Sequence, residues 1–242
     1  KWAERQRRVL LVVPASLRKQ WAQELREKFS LDSLILDAKT YRDAIKAGNR
    51  RPFEAHNAVV IVSYEFAAGR ADDIAIIDWD LVIYDEAHRL RNVYKKDGSK
   101  RAKRLKEALR DPFKMLLTAT PMQNSLMELY GLVSMIDDHH VGDEASFRTM
   151  YAGVRASPAN LSILKSRLAP VVQRTLRRQV VEAGHINYTK RLARTFDFEP
   201  GNEEVKLYEA VSAFLQRKDT IAFGDRANHL VTLVARKILG SS

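Results

Sequence analysis

The 242 residues include no cysteine. That absence excludes a disulfide scaffold, a Cys-ligated zinc site and thiol catalysis. Long apolar runs are missing too: the longest stop at four or five residues, far short of the ~18 needed to span a membrane. No secretory signal pattern, internal repeat or low-complexity tract is visible. These absences lead to the expectation of a cytoplasmic protein. None of the ten glycines is followed by lysine. The phosphate-cradling pattern Gly-x-x-x-x-Gly-Lys-[Ser/Thr] therefore does not occur in this sequence.

Acid is in deficit. There are 41 Lys+Arg against 30 Asp+Glu, a formal net charge of +11. The excess is concentrated in two places. Residues 89–110 carry ten basic and two acidic side chains, and residues 165–194 carry eight and one. Those segments contribute +8 and +7, which leaves −4 for the rest of the chain. Two basic patches on a slightly acidic body suit a polyanion partner, and equally a solvated helix face.

Strand and helix patterns alternate through the first half. Val9–Val13 is a continuous apolar run, the pattern of a strand buried on both faces of a parallel sheet. Leu17, Trp21, Leu25 and Phe29 follow as one helical stripe with Ser16 placed to cap it, and stripe membership assigns Trp21 to the core. Further strands are expected at Leu34–Leu36, Val59–Val62, Leu81–Tyr84 and Met115–Leu117. Ser125-Leu126-Met127-Glu128 has capping-box spacing, and Leu126, Leu129, Tyr130, Val133 and Ile136 continue it as a stripe. Asp137-Asp138 reads as the polar end of that helix or, because acids are unfavourable at a helix C-terminus, as a segment already past it. The alternation predicts a three-layer α/β domain. Beyond about residue 138 the pattern becomes helical, broken near Pro158 and Pro170, with a strand-like Leu192–Phe198 and helices at 203–217 and 226–239. Domain boundaries are expected near 138–145 and 190.

Asp85-Glu86-Ala87-His88 follows the fourth strand directly. Ligands of open α/β sheets bind beyond the carboxyl ends of strands, where paired acids suit nucleotide hydrolysis. Read alone, the pair equally suits a helix N-terminus. His139-His140 lacks a complete ligand set and is read as a surface turn.

The strand-end segments, taken in order, carry a family resemblance. Val12–Leu17 with Gln20-Trp21 and Glu24-Leu25 closely resembles motif Ia of the Swi/Snf-type motors of helicase superfamily two. Ile61–Glu65 resembles their next motif, Asp85–Asn92 their extended motif II, and Leu117–Asn124 with Glu128–Tyr130 their motif III. Leu176–Arg178 and Lys190-Arg191 resemble the segment bridging the two motor lobes, and the whole is nearer to bacterial RapA-like members. The resemblance implies a RecA-like lobe over 1–140, a helical connector over 141–190 and the beginning of a second lobe over 191–242. It implies ATP and Mg²⁺ as cofactors. Asp85 would hold the metal through water, Glu86 would activate the hydrolytic water, and His88, Gln123 and Asn124 would couple the nucleotide site to the track. Ser16, Ser63 and Tyr64 would face nucleic acid, most simply double-stranded DNA bound without sequence preference, with Lys100, Arg101, Lys103 and Arg104 beside it.

In that family the phosphate loop precedes the strand equivalent to Val9–Val13, and the first residue here is lysine. The expectation is therefore a piece of a longer ATP-driven translocase, inactive by itself. The alternative expectation is a non-catalytic docking module that kept the fold.

Overall fold

Apolar runs in the first half become adjacent parallel strands because both faces of each strand are buried. The computed structural model describes residues 8–54, 58–153, 157–175, 192, 194–195, 201–216, 234 and 237. Five strands, β1 (Val9–Val13), β2 (Ser33–Ile35), β3 (Val59–Ser63), β4 (Leu81–Asp85) and β5 (Phe113–Leu117), form one sheet in the order β2-β3-β1-β4-β5. Every pairing is parallel, with Val9 opposite both Val59 and Leu81. The five expected strands are all present.

Side-chain alternation divides the core into two layers. Leu10, Val12, Val60, Val62, Val82 and Tyr84 point to one face. There they meet α2 (Ala38–Lys46), α3 (Tyr64–Gly69), α4 (Ala71–Ala75), α5 (Lys100–Ala108) and α6 (Leu126–Ile136). Val9, Leu11, Val13, Val59 and Ile61 point to the other face, against α1 (Arg18–Phe29). The sheet between two helical layers is the expected α/β architecture. Among the described residues α1 is the helix on this face, and Phe113 on β5 is 76% exposed.

Local departures have physical causes. Ser16 does not cap α1: Leu17 N–H donates to Pro14 O at 2.9 Å, closing a 3-10 turn over Ala15–Leu17, and α1 starts only at Arg18 without a side-chain cap. The α1 stripe ends at Leu25, because Phe29 in the last turn is 64% exposed. Helix α6 is buried nearly all round rather than along one stripe. Leu132 and Met135 pack on the sheet layer, while Met127, Tyr130 and Val133 pack on Val141, Phe147, Tyr151 and Leu164. Asp137 has left the helix with extended backbone, the second of the two readings of Asp137-Asp138.

After α6 come α7 (Glu144–Phe147), a π turn (Arg148–Ala152) and α8 (Pro158–Leu168). Pro158 opens α8 at its first turn, and Ser157 Oγ caps it by accepting from Asn160 N–H at 3.2 Å. The chain divides into two compact units, Lys1–Arg174 and Thr175–Ser242. In the second, α9 (Asn202–Gln216) matches the helix expected at 203–217. Leu176–Arg178, Lys190-Arg191, most of Leu192–Phe198 and nearly all of 226–239 lie outside the described residues. Among the described residues no helix is long and apolar enough to cross a membrane.

Candidate active site

The order β3-β1-β4 brings the ends of three strands together. Asp85 is the last residue of β4, and both of its carboxylate oxygens accept hydrogen bonds. Oδ1 accepts from Glu86 N–H at 2.9 Å, and Oδ2 accepts from the Trp21 indole N–H at 2.7 Å. The Asp85 carbonyl accepts from the Tyr64 hydroxyl at 2.7 Å. Burial, with Tyr84 and Asp85 nearby, pushes the Tyr64 phenol above its ordinary range, so it stays a donor. Glu86 adopts φ 52°, ψ 44°, a left-handed conformation that costs a non-glycine residue of order 1–3 kcal/mol. The turn sends the two adjacent acids in different directions. Glu86 Oε2 lies 3.1 Å from His88 Nδ1, an ion-pair distance outside hydrogen-bond geometry.

A second polar group joins the residues after Asp85 to the loop before α6. Glu128, 4% exposed, accepts from Gln123 N–H at 2.7 Å and Asn124 N–H at 3.4 Å through Oε2. Its Oε1 lies 3.8 Å from Arg91 Nε. Arg91 Nη2 donates to Gln123 Oε1 at 2.7 Å. Ser125 caps α6, but the reciprocal bonds of the expected capping box do not form. Ser125 Oγ accepts from Met127 N–H, but Glu128 reaches further back, to the loop. Gly131 permits this approach, since a Cβ there would lie 2.0 Å from Arg91 O. Three buried polar atoms within this stretch lack a hydrogen-bond partner: His88 Nδ1, Arg91 Nη1 and Asn92 Oδ1. Such orphans mark positions where a ligand or partner group completes a network.

The residues expected on the track side separate. Ser16 is exposed on the turn after β1. Ser63 is buried and caps α3, its Oγ accepting from Phe66 N–H at 3.2 Å. Tyr64 is 4% exposed, its hydroxyl engaged on Asp85. On α5, Lys100 is exposed, Lys103 Nζ donates to Lys96 O, and Arg101 and Arg104 face Glu65 and Asp72 at 3.6 and 3.9 Å. His140 Nε2 lies 2.9 Å from Arg167 O, and among the described residues no three acids or histidines cluster as a metal site.

Without such a cluster, a metal fits only in company with its substrate. Mg²⁺ keeps several waters and is held by one or two carboxylates plus substrate phosphates, so a dedicated protein cage is unnecessary. Each Asp85 oxygen accepts one hydrogen bond and retains a lone pair for a metal-bound water. The donor set fits Mg²⁺ carried by a nucleotide. A cavity of about 1070 Å³ lined by Lys106, Arg110, Lys114, Asp137 and Asp138 lies at the other end of β5, remote from the acid pair.

Two residues are not legible in the sequence as site members. Trp21 packs in the α1 layer as the stripe indicates, yet its N–H holds Asp85. Arg91 carries no signal beyond its place in a matched motif. Glu128 does carry one, as a charged residue within the apolar α6 segment.

The SNF2-related domain matches residues 1–240. This chain belongs to that family. The four strand-end segments lie within the matched residues. The "Uncharacterized ATP-dependent helicase YqhH" of Bacillus subtilis is 29% identical over 221 residues, covering 89% of this chain and 35% of that protein. The "RNA polymerase-associated protein RapA" of Stutzerimonas stutzeri is 35% identical over 146 residues, covering 58% and 15%. The chain therefore spans about a third or less of these relatives. The "Sulfolobus solfataricus SWI2/SNF2 ATPase core in complex with dsDNA" superposes with a TM-score of 0.55 at 17% identity, over 96% of this chain and 47% of that one, a likeness of fold.

Proposed function

We propose that this SNF2-related domain supplies the acid half of the nucleotide site in an ATP-driven motor that translocates along double-stranded DNA. The observation that carries the reading is the Asp85-Glu86 pair at the carboxyl end of β4, one acid braced by two donors and the other carried by a left-handed turn to lie beside His88. Mg²⁺ with the triphosphate, when bound, supplies the positive charge that stabilises phosphoryl transfer. Asp85 would hold the metal-bound water, and Glu86, with its side chain 40% exposed, would orient the attacking water and take its proton. His88, Gln123 and Asn124 would couple the site to the track, with Arg91 and Glu128 joining their two segments.

Within this reading, residues 1–140 are the first RecA-like lobe, 141–190 the connector and 191–242 the opening of the second lobe. Ser16, Ser63 and Tyr64 belong to the strand-end turns on the nucleic-acid side. Exposed Ser16 touches phosphate, while buried Ser63 and Tyr64 hold the turn. Lys100, Arg101, Lys103 and Arg104 lie beside the duplex. These 242 residues bind and hydrolyse ATP poorly without a phosphate loop, and the motor works in the cytoplasm.

The test is ATPase activity of the longer protein that carries this domain, compared with duplex DNA, single-stranded DNA and RNA. Duplex DNA is expected to stimulate most. Glu86→Gln is expected to lower hydrolysis by at least about a hundredfold, as for loss of a general base, while nucleotide binding persists. A protein that binds duplex DNA but never hydrolyses ATP would be a docking module instead.

A further inference from the structure

Trp21 belongs to α1 by sequence and to the acid pair by hydrogen bonding. Its ring packs in the layer formed by Leu11, Val13, Leu25 and Ile61. Its Nε1 donates to Asp85 Oδ2 at 2.7 Å across 64 residues of sequence. The other carboxylate oxygen is held by Glu86 N–H from Asp85's own turn. The Asp85 side chain is thus fixed by one local donor and one remote one, and the remote one sits on a large ring anchored by packing. Indole N–H is donor-only and does not titrate, so this contact keeps one polarity at every pH.

The end of α1 that carries Trp21 adjoins an exposed turn. The helix begins where the Ala15–Leu17 turn ends, and that turn is stiffened by Leu17 N–H on Pro14 O at 2.9 Å and by Arg18 Nε on Ala15 O at 3.1 Å. Ser16 is exposed on it, shortly before Trp21. A group bound at Ser16 therefore bears on the helix that carries the indole.

We propose that Trp21 is a positioning residue for Asp85, and that through α1 it transmits occupancy of the exposed turn after β1 to the acid pair. The proposal rests on the ATPase reading above. Trp21→Phe keeps an aromatic ring and removes the N–H. In the longer protein, duplex affinity is expected to hold while the ATPase rate at saturating duplex falls about ten- to a hundredfold, the factor for losing one hydrogen bond to a charged group. The Mg²⁺ concentration for half-maximal rate is expected to rise, which a purely structural role would not produce. In this chain the indole ¹H–¹⁵N resonance of Trp21, one of three tryptophans and assigned by its disappearance in Trp21→Phe, is expected to move in Asp85→Asn.

Wild-type rate and Mg²⁺ dependence in Trp21→Phe would overturn the proposal, as would a Trp21 resonance indifferent to Asp85→Asn. A wild-type protein with no ATPase activity would overturn the functional reading instead, with the spectra still deciding whether the indole holds Asp85.

Discussion

Gly131→Ala sets two forces against each other with opposite signs. Gly131 lies inside α6, where alanine is favoured over glycine by about 1 kcal/mol on helix propensity. The added Cβ would lie 2.0 Å from Arg91 O and 2.8 Å from Arg91 C. Both are backbone atoms, so no side-chain rotation relieves the clash. Restoring ordinary van der Waals spacing requires α6 and the turn after β4 to separate by more than about 1 Å. Forcing extra volume into a packed core typically costs about 1–3 kcal/mol. The separation also stretches the Arg91–Gln123 and Arg91–Glu128 interactions, which are already 2.7 and 3.8 Å. After the propensity gain is subtracted the overpacking leaves up to about 2 kcal/mol. With the stretched Arg91 interactions added, a net loss of about 1–2 kcal/mol is expected, or a fall of roughly 2–8 °C in Tm for a unit of this size. Thermal unfolding of wild type and variant measures it. An unchanged or raised Tm would mean that propensity wins, and that α6 does not rest on the Arg91 carbonyl.

Two further perturbations act through charge. Asp37 caps α2, accepting from Lys39 N–H and Thr40 N–H while Thr40 Oγ1 accepts from Asp37 N–H, so Asp37→Ala should cost about 1 kcal/mol at neutral pH. The Thr40 N–H above all holds the Asp37 carboxyl below its ordinary 3.8, so this contribution is complete above that value and disappears as pH falls through the lowered one. Denaturant melts of wild type and variant should therefore converge in strong acid, and a gap that persists there would refute the cap as its source. Reversing Lys100, Arg101, Lys103 and Arg104 should flatten the slope of log duplex affinity against log salt by several units, at about 0.9 for each phosphate no longer neutralised. An unchanged slope would leave Arg101 and Arg104 as partners of Glu65 and Asp72 only, and the helix face as solvated.

The sheet is legible in the sequence because fully buried parallel strands are written as apolar runs. Val9–Val13 and Val59–Ser63 are buried at every position. Edge strand β5 starts two residues before its apolar run, because Phe113 and Lys114 do not belong to such a run and Phe113 faces solvent. The α6 stripe misleads for the opposite reason. A helix packed on two layers needs apolar residues all round, and periodicity then names only part of its buried surface. At the site, the acids announce themselves by following a strand, whereas Trp21 reads only as core. A tryptophan at i+4 spacing from two leucines carries no mark of what its N–H will reach.

The links among these residues follow from strand order. Trp21 follows β1, Tyr64 follows β3, and Asp85 ends β4, and the order β3-β1-β4 sets those three ends side by side. Adjacent strands lie about 4.8 Å apart, so the Trp21 indole crosses one spacing to reach Asp85 and the Tyr64 phenol, from β3 past β1, crosses two, reaches that a serine does not have. The two aromatic side chains therefore reach Asp85, while Ser16 and Ser63 stay on their own turns. The strand-end motifs are thus not independent sites that happen to share a sheet. On the proposed roles, the helices that follow the turns assigned to nucleic acid carry the donors that fix the acid assigned to the metal, so a displacement of either helix is expected to move a hydrogen bond on Asp85.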